Sequence, residues 1–77
     1  MKLDKVLISR DYEVQSLKIP ELERGRFFKL GVYPGAIITL ERKAPIFSDP
    51  LIFRLEGSQI IMTKFEASHI EVKALES

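Results

Sequence analysis

Turn-forming residues recur at short intervals along this chain, and their spacing is the strongest constraint on its fold. They stand at Gly31, Pro34-Gly35, Ser48-Asp49-Pro50 and Gly57-Ser58. The segments between them are short and rich in Ile, Leu and Phe. Short apolar segments separated in this way are typical of a small β-barrel or β-sandwich. The sequence therefore predicts an all-β domain.

Side-chain alternation predicts the individual strands. The segment 51–56 has apolar residues at alternate positions, so these share one face of a strand. A two-residue turn at Gly57-Ser58 would pair Leu55 with Ile60 and Phe53 with Met62, which joins the apolar faces of two strands. The other predicted strands are residues 36–42, residues 12–17 or 12–19, and residues 70–73.

One short helix is predicted between the first two strands. Pro20 suits a position at or just before a first helical turn, and Glu21 lies where the helix dipole favours negative charge. Gly31 stands where a glycine commonly ends a helix in the left-handed conformation. Gly25 costs a helix about 1 kcal/mol relative to alanine. We therefore expect two turns that start near Glu23.

Composition excludes several classes of protein. The chain has 77 residues and no cysteine, so disulfide frameworks and thiolate zinc sites are excluded. Its net charge is +1 with alternating signs, which disfavours binding to nucleic acid, RNA included. Its longest apolar runs are three residues, against the ~20 that a membrane span needs. These features predict one cytoplasmic domain over residues 1–77, without membrane insertion.

Catalytic and metal-binding residues are few. His69 is the only histidine, and it could act with Ser48 and Asp49 only if the fold brought these residues together, so no enzyme is expected. Glu66 and His69 are three positions apart on a predicted helical turn over residues 65–69. They are weak candidates for a divalent transition metal such as Fe²⁺. No cofactor is established by the sequence.

Apolar residues occupy positions where polar ones are expected. Ile37, Ile52 and Ile61 fall on the outward-facing side of the predicted strands, and Ile46 and Phe47 lie in a connection rich in turn residues. Clustered exposed apolar side chains tend to mark interaction surfaces. The sequence therefore predicts a partner-binding surface formed by these five residues.

The segment Phe27-Phe28-Lys29-Leu30-Gly31-Val32-Tyr33-Pro34-Gly35 resembles the FeoA family of ferrous iron transport protein A domains. The family pattern there is a helix that ends in Leu-x-x-Leu-Gly, followed by an apolar residue and x-Pro-Gly. The similarity continues in order through most of residues 26–72. The matching motif positions are Leu30, Gly31, Pro34, Gly35, Ala44, Pro45, Asp49, Pro50, Gly57 and Ala67.

This resemblance implies a fold and a role. The fold would be an SH3-like small β-barrel of five strands with one short helix inserted after the first strand. The role would be that of a cytosolic accessory protein of ferrous iron uptake, a non-catalytic binding module on the FeoB-type membrane permease. The alternative is a metal-responsive regulatory module that acts in trans, similar to the barrel domain of iron-dependent repressors. A homodimer is left open.

The chain departs from the family pattern in one loop. The usual Ala-Pro-x-Gly-Asp-Pro is replaced by residues 44–50, Ala-Pro-Ile-Phe-Ser-Asp-Pro, which lacks the glycine and is one residue longer. The difference places Ile46 and Phe47 at the loop tip.

Overall fold

Five strands form one antiparallel sheet in the order β4-β3-β2-β1-β5 in the computed structural model, which describes residues 1–75. Buried and exposed side chains alternate along most of each strand, except in the segment 51–55, where only Arg54 is exposed. The strands are β1 (Asp11–Leu17), β2 (Ile37–Lys43), β3 (Leu51–Leu55), β4 (Ser58–Met62) and β5 (Ile70–Ala74). The helices are α1 (Glu21–Lys29), α2 (Lys64–Ala67) and a 3₁₀ turn at Leu3–Lys5.

One apolar core lies against one face of this sheet. Each of the five strands contributes to it, and Phe27 of α1, Leu3 of the 3₁₀ turn and Ala67 of α2 are also fully buried. No buried side chain among the described residues is polar or charged. The largest fully buried side chains are Phe27, Phe53, Leu3, Ile38, Leu40, Leu51, Met62 and Ile70.

The hairpin between β3 and β4 has a different register from the predicted one. Leu55 pairs with Ser58 and Phe53 with Ile60, so the turn is Glu56-Gly57. Both turn residues have positive φ, 45° and 85°, as the twist-compatible type I′ hairpin turn requires. The predicted register was wrong by two residues. A two-residue shift keeps every side chain on its face, which is why the predicted core face is correct.

Helix α1 begins at Glu21, so Gly25 does not shorten it as the sequence predicted. Its end is as expected, because Gly31 has φ of 97° and reverses the chain. The N–H of Val32 then donates to the carbonyl of Phe27 over 2.9 Å, and both side chains are buried. This bond from the third residue past the end of the helix is typical of a glycine-terminated helix. Within residues 1–75 no helix is long and apolar enough to cross a membrane.

The two edges of the sheet differ. The outer edge of β5 is covered by the start of the chain, because Met1 exchanges backbone hydrogen bonds of 2.9 and 2.8 Å with Val72, and Lys2 pairs with Glu71. Strand β4 pairs only with β3 in the part of the chain that is described. The predicted five-stranded all-β fold is thus correct, but hydrogen bonding does not close it into a complete barrel.

Candidate partner-binding surface

The loop between β2 and β3, residues 44–50, is held in a defined conformation. The N–H of Ala44 donates to the carbonyl of Pro50 over 3.0 Å and closes the loop at its base. Lys64, the first residue of α2, holds the tip. Its N–H donates to Oδ1 of Asp49 over 3.0 Å, and its Nζ donates to the carbonyl of Phe47 over 3.3 Å. The loop is therefore fastened to the start of α2.

Phe47 at the tip of this loop is both exposed and strained. Its side chain is 89% exposed, and that of neighbouring Ile46 is 69% exposed. The φ angles of Phe47 and Ser48 are 60° and 54°, in the left-handed region. That region costs an L-residue with a bulky side chain about 1–2 kcal/mol. A side chain that costs folding energy and buries almost nothing indicates selection for something other than stability.

Two more exposed apolar residues lie at the same end of the sheet as this loop. Ile61 of β4 is 65% exposed and Phe65 of α2 is 74% exposed. They flank the short segment that contains Lys64, the residue that holds the loop tip. We call Ile46, Phe47, Ile61 and Phe65 the loop-tip surface.

The rim of the loop-tip surface is basic. Arg42 and Lys43 end β2 immediately before the loop, and both are exposed. Lys64 adds a third cation at the other side of the loop. Asp49 is the one carboxylate of the loop itself, and its Oδ1 already accepts the N–H of Lys64. An apolar centre with a cationic rim favours a partner that presents an apolar anchor site with acidic residues around it.

Ile52 does not belong to this surface, and the prediction that it is exposed was wrong. Its side chain is only 7% exposed although it points away from the main core. The physical reason is its place on β3, between Arg42 of β2 and Ile61 of β4. Directly opposite residues on neighbouring strands have Cβ atoms about 4.5–5.5 Å apart, so both neighbours cover it.

Ile37 is separated from the other predicted residues by the length of a strand. It begins β2, whereas the loop follows the other end of that strand. It is 39% exposed and lines a groove with Leu30, Tyr33 and the β3–β4 hairpin. Of the five predicted residues, Ile46, Phe47 and Ile61 are exposed at the same end of the sheet.

Most of the matched motif positions have architectural roles. Gly31, Gly35 and Gly57 have φ of 97°, 95° and 85°, which only glycine adopts at little cost. The N–H of Gly35 donates to the carbonyl of Val14 over 2.8 Å and joins the Pro34-Gly35 turn to β1. Ala67 is fully buried. Leu30, by contrast, is 48% exposed.

Glu66 is already committed to structural contacts. Its Oε2 accepts a hydrogen bond from the Arg26 guanidinium over 2.8 Å, and its Oε1 accepts the Thr63 N–H over 2.9 Å. The Thr63 hydroxyl accepts the Glu66 N–H in return, which completes a capping box at the start of α2. The Thr63 N–H and, after it, Arg26 hold the pKa of the Glu66 carboxyl below its ordinary value, although partial burial opposes them.

His69 is oriented by the same helical turn. Its Nδ1 lies 2.8 Å from the carbonyl of Phe65, and because a carbonyl only accepts, Nδ1 carries the proton. The two rings also meet edge to face at 4.7 Å between centroids. Within residues 1–75 no group of three or more His, Cys, Asp or Glu side chains is arranged to hold a metal ion. Of the two weak metal candidates, Glu66 thus has both carboxylate oxygens engaged by other groups of the protein.

Phe65 is a surface residue that was not predicted from the sequence. The available signal was the pattern Thr63-x-x-Glu66, which fixes the start of α2. Ala67 is the only residue of α2 that is buried. Residues two positions apart lie on different sides of a helix, so the burial of Ala67 directs Phe65 to solvent.

A protein-family model of the FeoA domain matches residues 1–74. The chain belongs to the FeoA family. FeoA proteins are linked to ferrous iron transport, so this chain is a member of a ferrous iron transport family. Among curated proteins, no sequence is similar enough to this FeoA chain to count as a match.

Solved FeoA structures share the fold. A FeoA protein from Chlorobium tepidum is 32% identical with a TM-score of 0.92, over 99% of this chain and 71% of that one. Iron(II) transport protein A from Clostridium thermocellum is 25% identical with a TM-score of 0.90. The match includes 97% of this chain and 46% of that protein. This chain thus spans about half the length of that relative.

A third structure supports the fold alone. Stenotrophomonas maltophilia FeoA, complexed with zinc and described as a prokaryotic SH3 domain protein, is 20% identical with a TM-score of 0.81. The two chains match over 95% of this one and 89% of that one. The SH3-like fold of the FeoA family is therefore confirmed for this chain.

Proposed function

We propose that this chain is a non-catalytic, cytoplasmic binding module that acts in ferrous iron uptake by contacting a FeoB-type membrane permease. Membership of the FeoA family supports the transport role. A description of the Stenotrophomonas maltophilia protein as a candidate activating factor for ferrous iron transport is consistent with an accessory role. Ferrous iron is the transported ion in this proposal and has no assigned site on the chain.

Phe47 carries the proposal. Its ring is 89% exposed on a backbone conformation that disfavours bulky side chains, yet three hydrogen bonds hold the loop around it. Preorganised aromatic residues of this kind are common as the anchors of interfaces, because little conformational entropy is lost when they bind. Phe47 would insert into an apolar pocket on the cytosolic side of the permease.

The neighbours of Phe47 define the rest of the interface. Ile46, Ile61 and Phe65 extend the apolar area around the anchor. Arg42 and Lys43 would meet acidic residues at the edge of the pocket, and rim charges of this kind mainly raise the association rate. We therefore expect binding that weakens as salt is raised, but that keeps an apolar component at high salt.

The test is permease binding by a Phe47→Ser variant. Detergent-solubilised FeoB-type permease would be immobilised, and the affinity of each variant measured together with ferrous iron uptake in cells. Truncation of an interface anchor costs about 2 kcal/mol or more, so we expect an affinity loss of at least about tenfold. Leu22→Ser is the matched control, since Leu22 of α1 is 92% exposed and lies outside the loop-tip surface.

A folded Phe47→Ser protein that binds and supports uptake as well as the unaltered chain would refute the proposal. Equal losses for Phe47→Ser and Leu22→Ser would place the interface elsewhere. Wild-type protein that fails to bind the permease at all would refute the choice of partner.

A further inference from the structure

The tip of the loop between β2 and β3, residues 45–49, is fastened by one residue. Within residues 1–75, both hydrogen bonds that reach this segment come from Lys64, one to Asp49 and one to Phe47. The remaining hydrogen bond of the loop closes only its base. Packing adds little, because the two apolar side chains at the tip are 69% and 89% exposed. The conformation of the tip therefore depends on Lys64.

The loop tip needs such a restraint because its backbone is strained. Phe47 and Ser48 have φ of 60° and 54°, in the left-handed region. Residues with a side chain persist in that region only where surrounding contacts enforce it. Loss of the contacts from Lys64 should therefore let both residues return to more favourable backbone conformations. The ring of Phe47 would then no longer be presented in one orientation.

Lys64 itself stands on a firmly held helical turn. The Thr63 hydroxyl accepts the Glu66 N–H over 3.0 Å, and the Glu66 carboxylate accepts the Thr63 N–H over 2.9 Å. Arg26 of α1 donates to the same carboxylate over 2.8 Å, and Ala67 is fully buried. Lys64 is thus a fixed point of the domain, to which the loop tip is attached.

We propose that Lys64 is a positioning residue, which holds Phe47 in the orientation that binds the partner. The inference rests on the proposed permease contact, in which Phe47 is the anchor. A loop that is fixed in advance loses little conformational entropy when it binds. Release of the loop from Lys64 and Asp49 should therefore lower the affinity, although the Phe47 ring is still present.

The charge of Lys64 would also attract an acidic partner directly, and a double variant separates the two effects. Lys64→Met combined with Asp49→Ala removes one positive and one negative charge. The net charge beside the loop is then unchanged, while both bonds to the loop tip are lost. Lys43→Met is the matched control, because Lys43 is an exposed rim cation and neither bond to the loop tip involves it.

Backbone ¹⁵N relaxation of the full chain tests the restraint without any partner. In the unaltered chain we expect order parameters at residues 46–48 near about 0.85, the value of rigid backbone. In the double variant they should fall below about 0.6, while the amide shifts of the core stay unchanged. Order parameters that stay high in the double variant, or that are already low in the unaltered chain, would overturn the proposal.

Affinity for detergent-solubilised FeoB-type permease tests the consequence for binding. The double variant should bind at least about fivefold more weakly, and this loss should persist at high salt. The loss caused by Lys43→Met should instead disappear as salt screens the rim.

The outcomes separate this inference from the proposed function. A double variant that binds as tightly as the unaltered chain would overturn the positioning role, and the proposed function would still stand if Phe47→Ser weakens binding. An unaltered chain that does not bind the permease would refute the proposed function, while the relaxation measurement still decides whether Lys64 fixes the loop.

Discussion

Lys64 joins helix α2 to the loop between β2 and β3 through a 3.3 Å hydrogen bond from its Nζ to the carbonyl of Phe47. Its backbone N–H also reaches Oδ1 of Asp49, so one residue fixes two points of the loop. The aromatic side chain of Phe47 is therefore exposed to solvent on a loop that hydrogen bonds hold to the start of α2. This relationship links the most exposed aromatic residue of the chain to its proposed role, and it leads to the first prediction.

Phe47→Asn should stabilise the protein. Asparagine tolerates positive φ better than phenylalanine, and an 89% exposed ring has little buried area to lose. We expect the free energy of unfolding in urea to rise by about 0.5–1 kcal/mol. The control is Ile46→Asn, which has no positive φ to relieve and should change stability by less than about 0.5 kcal/mol. Destabilisation by Phe47→Asn would show that the ring makes contacts that matter for folding.

Substitution by alanine should have opposite effects on stability at Gly25, inside α1, and at Gly31, just after its end. Gly25 is an exposed residue inside α1 with open space around its Cα, so Gly25→Ala should stabilise the protein by about 0.5–1 kcal/mol. Gly31 has φ of 97°, so Gly31→Ala should cost about 1–2 kcal/mol. Denaturant unfolding of both variants checks the pair. Equal effects would contradict the left-handed helix end.

Ile52 and Ile61 lie opposite each other but should differ in their contribution to stability. Ile52→Ala removes a side chain that is 7% exposed and should cost about 2 kcal/mol or more. Ile61→Ala removes one that is 65% exposed and should cost less than about 0.5 kcal/mol. Thermal and urea unfolding of the two variants measure the difference. Similar losses would mean that Ile52 is not covered as described.

Glu66 should make stability depend on pH in mild acid. The Thr63 N–H and Arg26 lower the pKa of the Glu66 carboxyl on folding. The stability that the ionised carboxyl contributes is therefore complete above its unfolded-state pKa near 4.5, and it is lost as the pH falls toward its folded-state pKa. At neutral pH, Glu66→Gln should cost about 1 kcal/mol. This difference should shrink as the pH falls below about 4.5, because the native carboxyl then becomes neutral too.

Urea unfolding of the Glu66→Gln variant and of the unaltered chain, from neutral pH down into the acid range, measures this effect. Arg26→Gln is the companion variant, since it removes the 2.8 Å ion pair and leaves the capping box in place. It should reproduce only part of the Glu66→Gln loss. A cost for Glu66→Gln that stays constant with pH would contradict the depressed pKa.

The sequence by itself determined the features that depend on local geometry. Gly31 ends α1, the apolar faces of β3 and β4 were assigned correctly, and Ile46 and Phe47 fall in an exposed loop. Each of these follows from a preference of a few adjacent residues for one backbone conformation or one face. The ordered FeoA motif was readable for the same reason, because most of its positions are turn and packing residues.

Only the tertiary structure decided what depends on residues distant in the chain. Ile52 is buried because two neighbouring strands cover it, and Glu66 is engaged because Arg26, forty positions away, reaches it. The same holds for the outer edge of β4, which no strand within residues 1–75 pairs with, since the start of the chain covers β5 instead. Alternation of side chains determines the face on which a residue lies. The cover over that face is set by packing between elements, which no local pattern encodes.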